Sequence, residues 1–287
     1  MRRIYLIFII NRLCSKGREN SVSGIQFYRD KDLPFFELKL CNTSEMSYKK
    51  HAHEEYSIGI VDQGRSYFWY EGKVDEIYPK TMVFLPPDLI HACNPINRDL
   101  WKYKMLFINQ DWVQGFMKSK GSFLFNNPII KDVSAYETFQ AIDNMMKSLK
   151  SNASPLKKEA SILAVFEQSL SGEKRTGDIN CKKEHPKLKI IREYLHSHCL
   201  EKVTLDQLER SSGLNKFHII RSFKEAFKVP PHTYQTLLRV NYAKKELCKH
   251  RQMAEVAIEA GFYDQSHFIK VFKGYTGITP DKYQKLM

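Results

Sequence analysis

The chain has 287 residues, of which 43% are hydrophobic, 13% aromatic and 27% charged. Those proportions exclude wholesale disorder, collagen and a coiled-coil rod, and the length allows two domains of ordinary size. The 45 Lys and Arg against 32 Asp and Glu give a formal net charge of +13.

The excess charge is unevenly placed. Residues 24–170 hold 18 basic and 18 acidic side chains, whereas residues 185–287 hold 18 and 10. A neutral front and a basic back third point to nucleic acid or an anionic membrane surface as partner of the C-terminal part; a solvated lysine-rich face is the plainer alternative.

Residues 1–23 open with Met1-Arg2-Arg3 and an apolar run over 4–10, ended by Asn11-Arg12. The run is too short to cross a bilayer, and no small-residue cleavage site follows it. The expectation is a poorly ordered N-terminal extension and no membrane partner. Six cysteines, at 14, 41, 93, 181, 199 and 248, form no CxxC pair. Scattered thiols fit a reducing compartment, so a cytoplasmic location is expected.

Residues 24–110 read as a β-domain. Strands are predicted over 35–40, 56–61, 66–70, 81–85 and 103–108, with turn signals at Gly64, Glu71-Gly72 and Pro86-Pro87-Asp88. Many short strands at this spacing predict an antiparallel sandwich or barrel. Over 111–170 the period changes. Tyr136, Phe139, Ile142, Met145, Met146 and Leu149 recur at helical spacing, as do Leu156, Ala160, Leu163, Val165, Phe166 and Leu170. They predict a helical pair whose apolar stripe packs on its own domain or on a second copy of the chain. Residues 171–185 are polar and aperiodic, a linker.

The segment 186–287 repeats itself at an offset of 49: His218 matches His267, Phe223-Lys224 matches Phe272-Lys273, Pro231 matches Pro280 and Tyr234 matches Tyr283. Such a repeat marks a duplicated unit. Each copy reads as helix–turn–helix, over about 205–227 and 253–275. Thr204 with Gln207 forms a capping box, Asn215 and Asp264 are N-caps, and Gly213 and Gly261 supply the turns. A long helix over 232–249 joins the units, with Leu238, Ala243 and Leu247 inward.

The second unit reads Ala257-x-x-x-Gly261-Phe262-x-Asp264-Gln265-Ser266-His267-Phe268-x-x-x-Phe272-Lys273-x-x-x-Gly277-x-Thr279-Pro280-x-x-Tyr283. In this it resembles the AraC/XylS family of bacterial transcription regulators. The first unit matches through Leu205, Leu208, Gly213-Leu214, Phe223-Lys224, Pro231 and Tyr234, but carries Lys228 where the second has Gly277, so a different turn is expected there. The front half resembles, more weakly, the cupin-type sensor domain of that family.

The resemblance implies an α+β protein: an antiparallel, cupin-like β-barrel with a helical pair, then an all-α domain of two helix-turn-helix units joined by a long helix. It implies double-stranded operator DNA and a small-molecule effector as partners, a homodimer, activation as the usual mode and RNA polymerase as a further partner. Base-reading positions would be Phe217, Ile220 and Arg221 on the first recognition helix and Gln265, Ser266, His267 and Lys270 on the second. Arg221 suits guanine and Gln265 adenine. Lys216, Lys224 and Lys273 are expected at phosphates.

In the front half, His51 and His53 form an H-x-H pair and His91 follows Pro86-Pro87-Asp88. Metal-binding cupins set three histidines so and add a carboxylate a few residues on, where Ser57 and Ile58 stand here. With that carboxylate missing, no metal or cofactor is assigned. The histidines are expected on the rim of an organic-ligand pocket, with Tyr56, Tyr67 and Trp69 on its wall. The competing functions are a metal-dependent cupin enzyme, a dioxygenase or isomerase with a helical appendage, and a DNA-binding regulator that needs no ligand. The chain contains no nucleophile elbow or P-loop, so no enzyme is expected.

Overall fold

The computed structural model describes residues 24–43, 48–96, 101–120, 128–130, 135–151, 153–170 and 185–286. The expected N-terminal extension, and all but the last residue of the expected linker, lie outside these.

The β-domain holds a six-stranded antiparallel sheet in the order β1 (Ile25–Arg29), β2 (Phe36–Thr43), β8 (Trp101–Ile108), β3 (Tyr56–Gln63), β6 (Met82–Leu85) and β9 (Ile129–Ile130). A three-stranded antiparallel sheet has β5 (Lys73–Ile77), β4 (Ser66–Tyr70) and β7 (His91–Pro95). The five strands predicted from sequence are β2, β3, β4, β6 and β8. Strands β1, β5, β7 and β9 were not expected, because they are short or carry charged and polar residues. The β4–β5 connection uses Glu71 at φ 47° and Gly72 at φ 88°, the two positive φ values that a tight hairpin turn requires.

The large sheet is covered on both faces. One face meets the helical pair, α2 (Ala135–Lys150) and α3 (Pro155–Leu170), with α1 (Gln110–Lys120) beside it. There Leu38, Ile58, Phe84, Leu106 and Ile108 pack on Ile142, Met145, Ile162, Val165 and Phe166, all essentially inaccessible. Each such burial stabilises by about 1.5–3 kcal/mol. The stripe around Met145 therefore belongs to the chain's own core and is not free for a second copy. Ile162, not Leu163, is its central residue on α3, while Leu156 is exposed.

The C-terminal domain runs α4 (Pro186–Ser197), α5 (Leu205–Ser212), α6 (Lys216–Phe227), α7 (Pro231–Cys248), α8 (Met253–Glu259), α9 (Gln265–Thr276) and α10 (Pro280–Lys285). The caps are those predicted: a full capping box at Thr204 and Gln207, Asn215 on the His218 amide, Asp264 on the His267 amide. Lys228 is a correction. It adopts φ 62°, the same left-handed turn that Gly277 makes at φ 85°, so the two units end alike. The joining helix α7 buries Leu237, Val240, Ala243 and Leu247, with Leu238 only partly covered.

Candidate functional site

The two helix-turn-helix units present their second helices, α6 and α9, to solvent. On α6, Ile219 and Phe223 are buried, whereas Phe217 is 87% and Ile220 39% exposed, and Arg221 and Lys224 are exposed. Ala226, on the same helix, is also exposed. On α9, Phe268 and Phe272 face the core while Gln265, Ser266, His267, Lys270 and Lys273 are exposed. Each expected base-reading position thus lies on an open helix face. Lys216 is the exception among the phosphate set: it is half-buried and ion-paired to Asp206.

Arg239 of α7 locks the geometry between the units. It donates to the carbonyls of Cys199 at 2.8 Å, Glu201 at 2.7 Å and Gly261 at 2.6 Å. Gln235, one turn earlier, donates to Glu201 at 2.8 Å. These bonds fasten the α8–α9 turn to the connector after α4.

A cavity lies between the β-domain and α7. Its β-domain wall includes Lys39, Tyr48, His51, His53, His91, Trp101, Tyr103, Met105 and Phe107; the DNA-binding domain contributes Leu237, Val240, Asn241, Lys244, Tyr275 and Tyr283. Of the residues expected at a ligand pocket, the three histidines line it and Tyr56, Tyr67 and Trp69 do not. Tyr56 lies on the helix-pair side, against Phe84. Tyr67 is 50% exposed, and Trp69 lies 3.5 Å beneath the Lys50 ammonium. Both strands turn these side chains away from the cavity. The inner face of β4 carries Ser66, Phe68 and Tyr70; Gly59 and Val61 of β3 reach the cavity. A Cβ on Gly59 would lie 2.6 Å from Val83 and 3.0 Å from Met105, so its need is close packing.

Sequence reasoning missed the cavity's charges. Lys39 is 7% exposed and donates to Tyr48 Oη at 3.0 Å, which in turn meets Tyr103 Oη at 2.7 Å. The rings of Tyr48, Phe27 and Tyr103 stand within 5.0 to 5.9 Å of its ammonium. Among the described residues it has no carboxylate partner, and burial lowers its pKa to about 8. Lys244, from α7, reaches the Phe107 ring at 5.9 Å. Burial pulls its pKa down, but Glu55, Tyr283 and Glu54 outweigh that and hold it above the ordinary value. Trp101, 2% exposed, has no acceptor for its indole N–H among the described residues.

The histidines gather because residue 51 pairs with residue 91: each backbone N–H donates to the other's carbonyl at 2.8 Å. Ring centroids are 4.3 Å apart for His51 and His91 and 5.0 Å for His53 with either. Burial, then the neighbouring imidazoles, hold His51 and His53 well below the usual histidine range; burial takes His91 to about 4.

The sensor side touches the second DNA-binding unit and the joining helix. Lys49 N–H donates to Gly274 O at 3.1 Å, at the end of α9. Phe27 meets Tyr283 edge-on at 5.7 Å, and Glu54 pairs with Lys245 at 2.5 Å. Glu71, Asp88 and Leu89 stand across a second cleft from Ala226 and Lys228, at the end of α6.

Residues 42–166 match the family described as AraC-like ligand binding domain, and residues 208–286 match a helix-turn-helix domain family. The HTH-type transcriptional activator AarP of Providencia stuartii is 30% identical over 92 residues, covering 32% of this chain and 68% of AarP. The chain belongs to the AraC/XylS family of transcription regulators. The uncharacterized HTH-type transcriptional regulator YbfI of Bacillus subtilis (strain 168) is 26% identical over 227 residues, 77% of this chain and 81% of YbfI. ToxT from Vibrio cholerae O395 shares the fold, with a TM-score of 0.59 and 15% identity, over 88% of this chain and 98% of ToxT. This AraC/XylS member is accordingly a transcription regulator with an N-terminal ligand-binding domain and C-terminal helix-turn-helix units. No helix among its described residues is long and apolar enough to cross a membrane.

Proposed function

We propose that the chain is a sequence-specific, effector-controlled activator, and that its effector is an organic anion with an apolar body held in the cavity between the domains. The observation that carries this is the pairing of Lys39 from β2 with Lys244 from α7 in an otherwise largely aromatic and aliphatic enclosure. A carboxylate supplies the counter-charge that Lys39 lacks, and the aromatic wall takes the apolar remainder. ToxT, which shares the fold, has been solved with an unsaturated fatty acid bound.

Because both domains line the cavity, a ligand there has different contacts when the domains are docked and when they are apart. Differential affinity of that kind shifts the placement of α6 and α9. Phe217, Ile220, Arg221, Gln265, Ser266, His267 and Lys270 read bases in this proposal, with Lys224 and Lys273 on phosphates. Lys216 joins them only by leaving Asp206. The protein acts in the cytoplasm, where the DNA is, without catalysing a reaction. It works as a homodimer and recruits RNA polymerase; the dimer uses outer surfaces, since the Met145 stripe is covered.

The test is selection of duplexes from a random-sequence library by the full chain, then affinity measurements with and without oleate. The expected result is a bipartite motif with half-sites about 10 bp apart and a roughly 5- to 150-fold change in affinity. No enriched motif overturns the DNA reading. An enriched motif whose affinity ignores oleate and other long-chain carboxylates overturns the effector class.

A further inference from the structure

We propose that His51, His53 and His91 bind a divalent transition-metal ion of the zinc class, leaving a coordination position open to the cavity. Their ligand atoms all lie within 4.8 Å of one another. Bonds of about 2.0–2.1 Å in a tetrahedral site need nitrogens roughly 3.3 Å apart, so the three rings draw together when the ion binds.

The hydrogen bonds set the rings for this task. His51 Nδ1 lies 2.8 Å from the Lys49 carbonyl, and His91 Nδ1 lies 2.9 Å from the Leu89 carbonyl. A carbonyl only accepts, so both Nδ1 atoms carry the proton and each Nε2 keeps a free lone pair. A backbone carbonyl on the far nitrogen is the outer-shell partner that fixes tautomer and orientation in histidine–metal sites.

The donor set selects the ion. Three imidazoles suit zinc, cobalt, nickel, copper or iron, and not calcium or magnesium, which take oxygen ligands. Metal-binding cupins add a carboxylate, but here Ser57 holds that place and its hydroxyl is buried with no partner among the described residues. Three neutral ligands leave the ion its full double charge, beside Lys39 and Lys244. The open position therefore favours an anionic donor. The metal assignment itself does not depend on the effector proposed above, because the probe is the metal alone.

The experiment strips the full chain with EDTA and titrates it with Co²⁺. One equivalent is expected to bind and to give the intense visible d–d bands of four- or five-coordinate cobalt, which Zn²⁺ then bleaches. The thermal midpoint should rise with one equivalent of Zn²⁺. His53→Ala, at the most accessible of the three, and His91→Ala should each weaken Co²⁺ binding about a hundredfold or more, with the far-UV circular dichroism unchanged. If His91→Ala fails to fold, His53→Ala and the wild-type spectrum still decide. Octahedral aquo-cobalt bands only, or one-equivalent binding that survives in His53→Ala, would overturn the site. A near-ultraviolet thiolate charge-transfer band would also overturn it, by assigning the ion to Cys93, which shares the cavity wall.

Discussion

Lys228 and Gly277 close the two recognition helices with the same left-handed backbone, at φ 62° and φ 85°. A lysine there carries a steric cost of roughly 1–2 kcal/mol that glycine does not. Glycine returns about 0.4–1 kcal/mol of that by making the unfolded chain more flexible. Lys228→Gly should therefore stabilise the protein by about 0.5–1 kcal/mol, seen as a higher thermal midpoint. Gly277→Ala should lower it. A fall in Lys228→Gly would mean that the Lys228 Nζ bond to the Glu225 carbonyl, at 2.8 Å, outweighs the strain.

Gly261 is more constrained. At φ 75° a Cβ would lie 2.6 Å from the Leu200 carbonyl oxygen and 2.8 Å from the Arg239 guanidinium carbon. Gly261→Ala combines left-handed strain with a clash against the backbone, so a loss of at least about 2 kcal/mol is expected. The readout is the thermal midpoint, together with loss of protection over one half-site in a footprint. Normal stability would show that the turn can open without Arg239.

Two substitutions on α6 separate specificity from affinity. Arg221→Ala should weaken the selected site by about 1–3 kcal/mol and relax one base position. Lys224→Ala should weaken selected and random duplexes alike. Equal loss on both DNAs for Arg221→Ala would remove that residue from the base-reading set.

Lys39 makes the cavity pH-dependent. Its folded pKa of about 8 lies below the ordinary 10.5, burial being the main cause, with Lys244 lowering it further and Cys41 and Cys93 opposing. Between pH 8 and 10.5 the unfolded chain binds more protons at this residue than the folded one, so its contribution to stability improves as pH rises through that window. Below pH 8 the full cost, of order 3 kcal/mol, is present. Lys39→Met should be more stable than the parent at pH 7, and the difference should shrink towards pH 10. The variant should also lose its response to a long-chain carboxylate. Equal stability at pH 7 would show that the Tyr48 bond and the three surrounding rings already compensate the charge.

Residues 185–286 contain both units, their caps and their own buried layer, so this fragment should fold alone and bind DNA. If about six phosphates are contacted, affinity should fall of order 10³-fold between 50 and 200 mM salt. A shallow salt slope would place the basic excess away from the DNA.

Much of the DNA-binding domain was legible in the chain itself. Its repeat, caps and turn glycines are local signals, set by hydrogen bonds and φ values within a few residues of one another. The histidine cluster was half legible: an i, i+2 pair shares a face of an extended chain, but only the cross-strand bridge of residue 51 to residue 91 brings the third ring in. The cavity was not legible. Strand β3 is buried on both sides, so alternation along Tyr56-Ser57-Ile58-Gly59 does not say which side meets the helices and which the ligand space. Lys39 reads as an ordinary strand lysine. Its burial comes from Tyr48, Tyr103 and a helix some 200 positions later, because the packing of one domain on the other, and no local pattern, decides which charges lose their water.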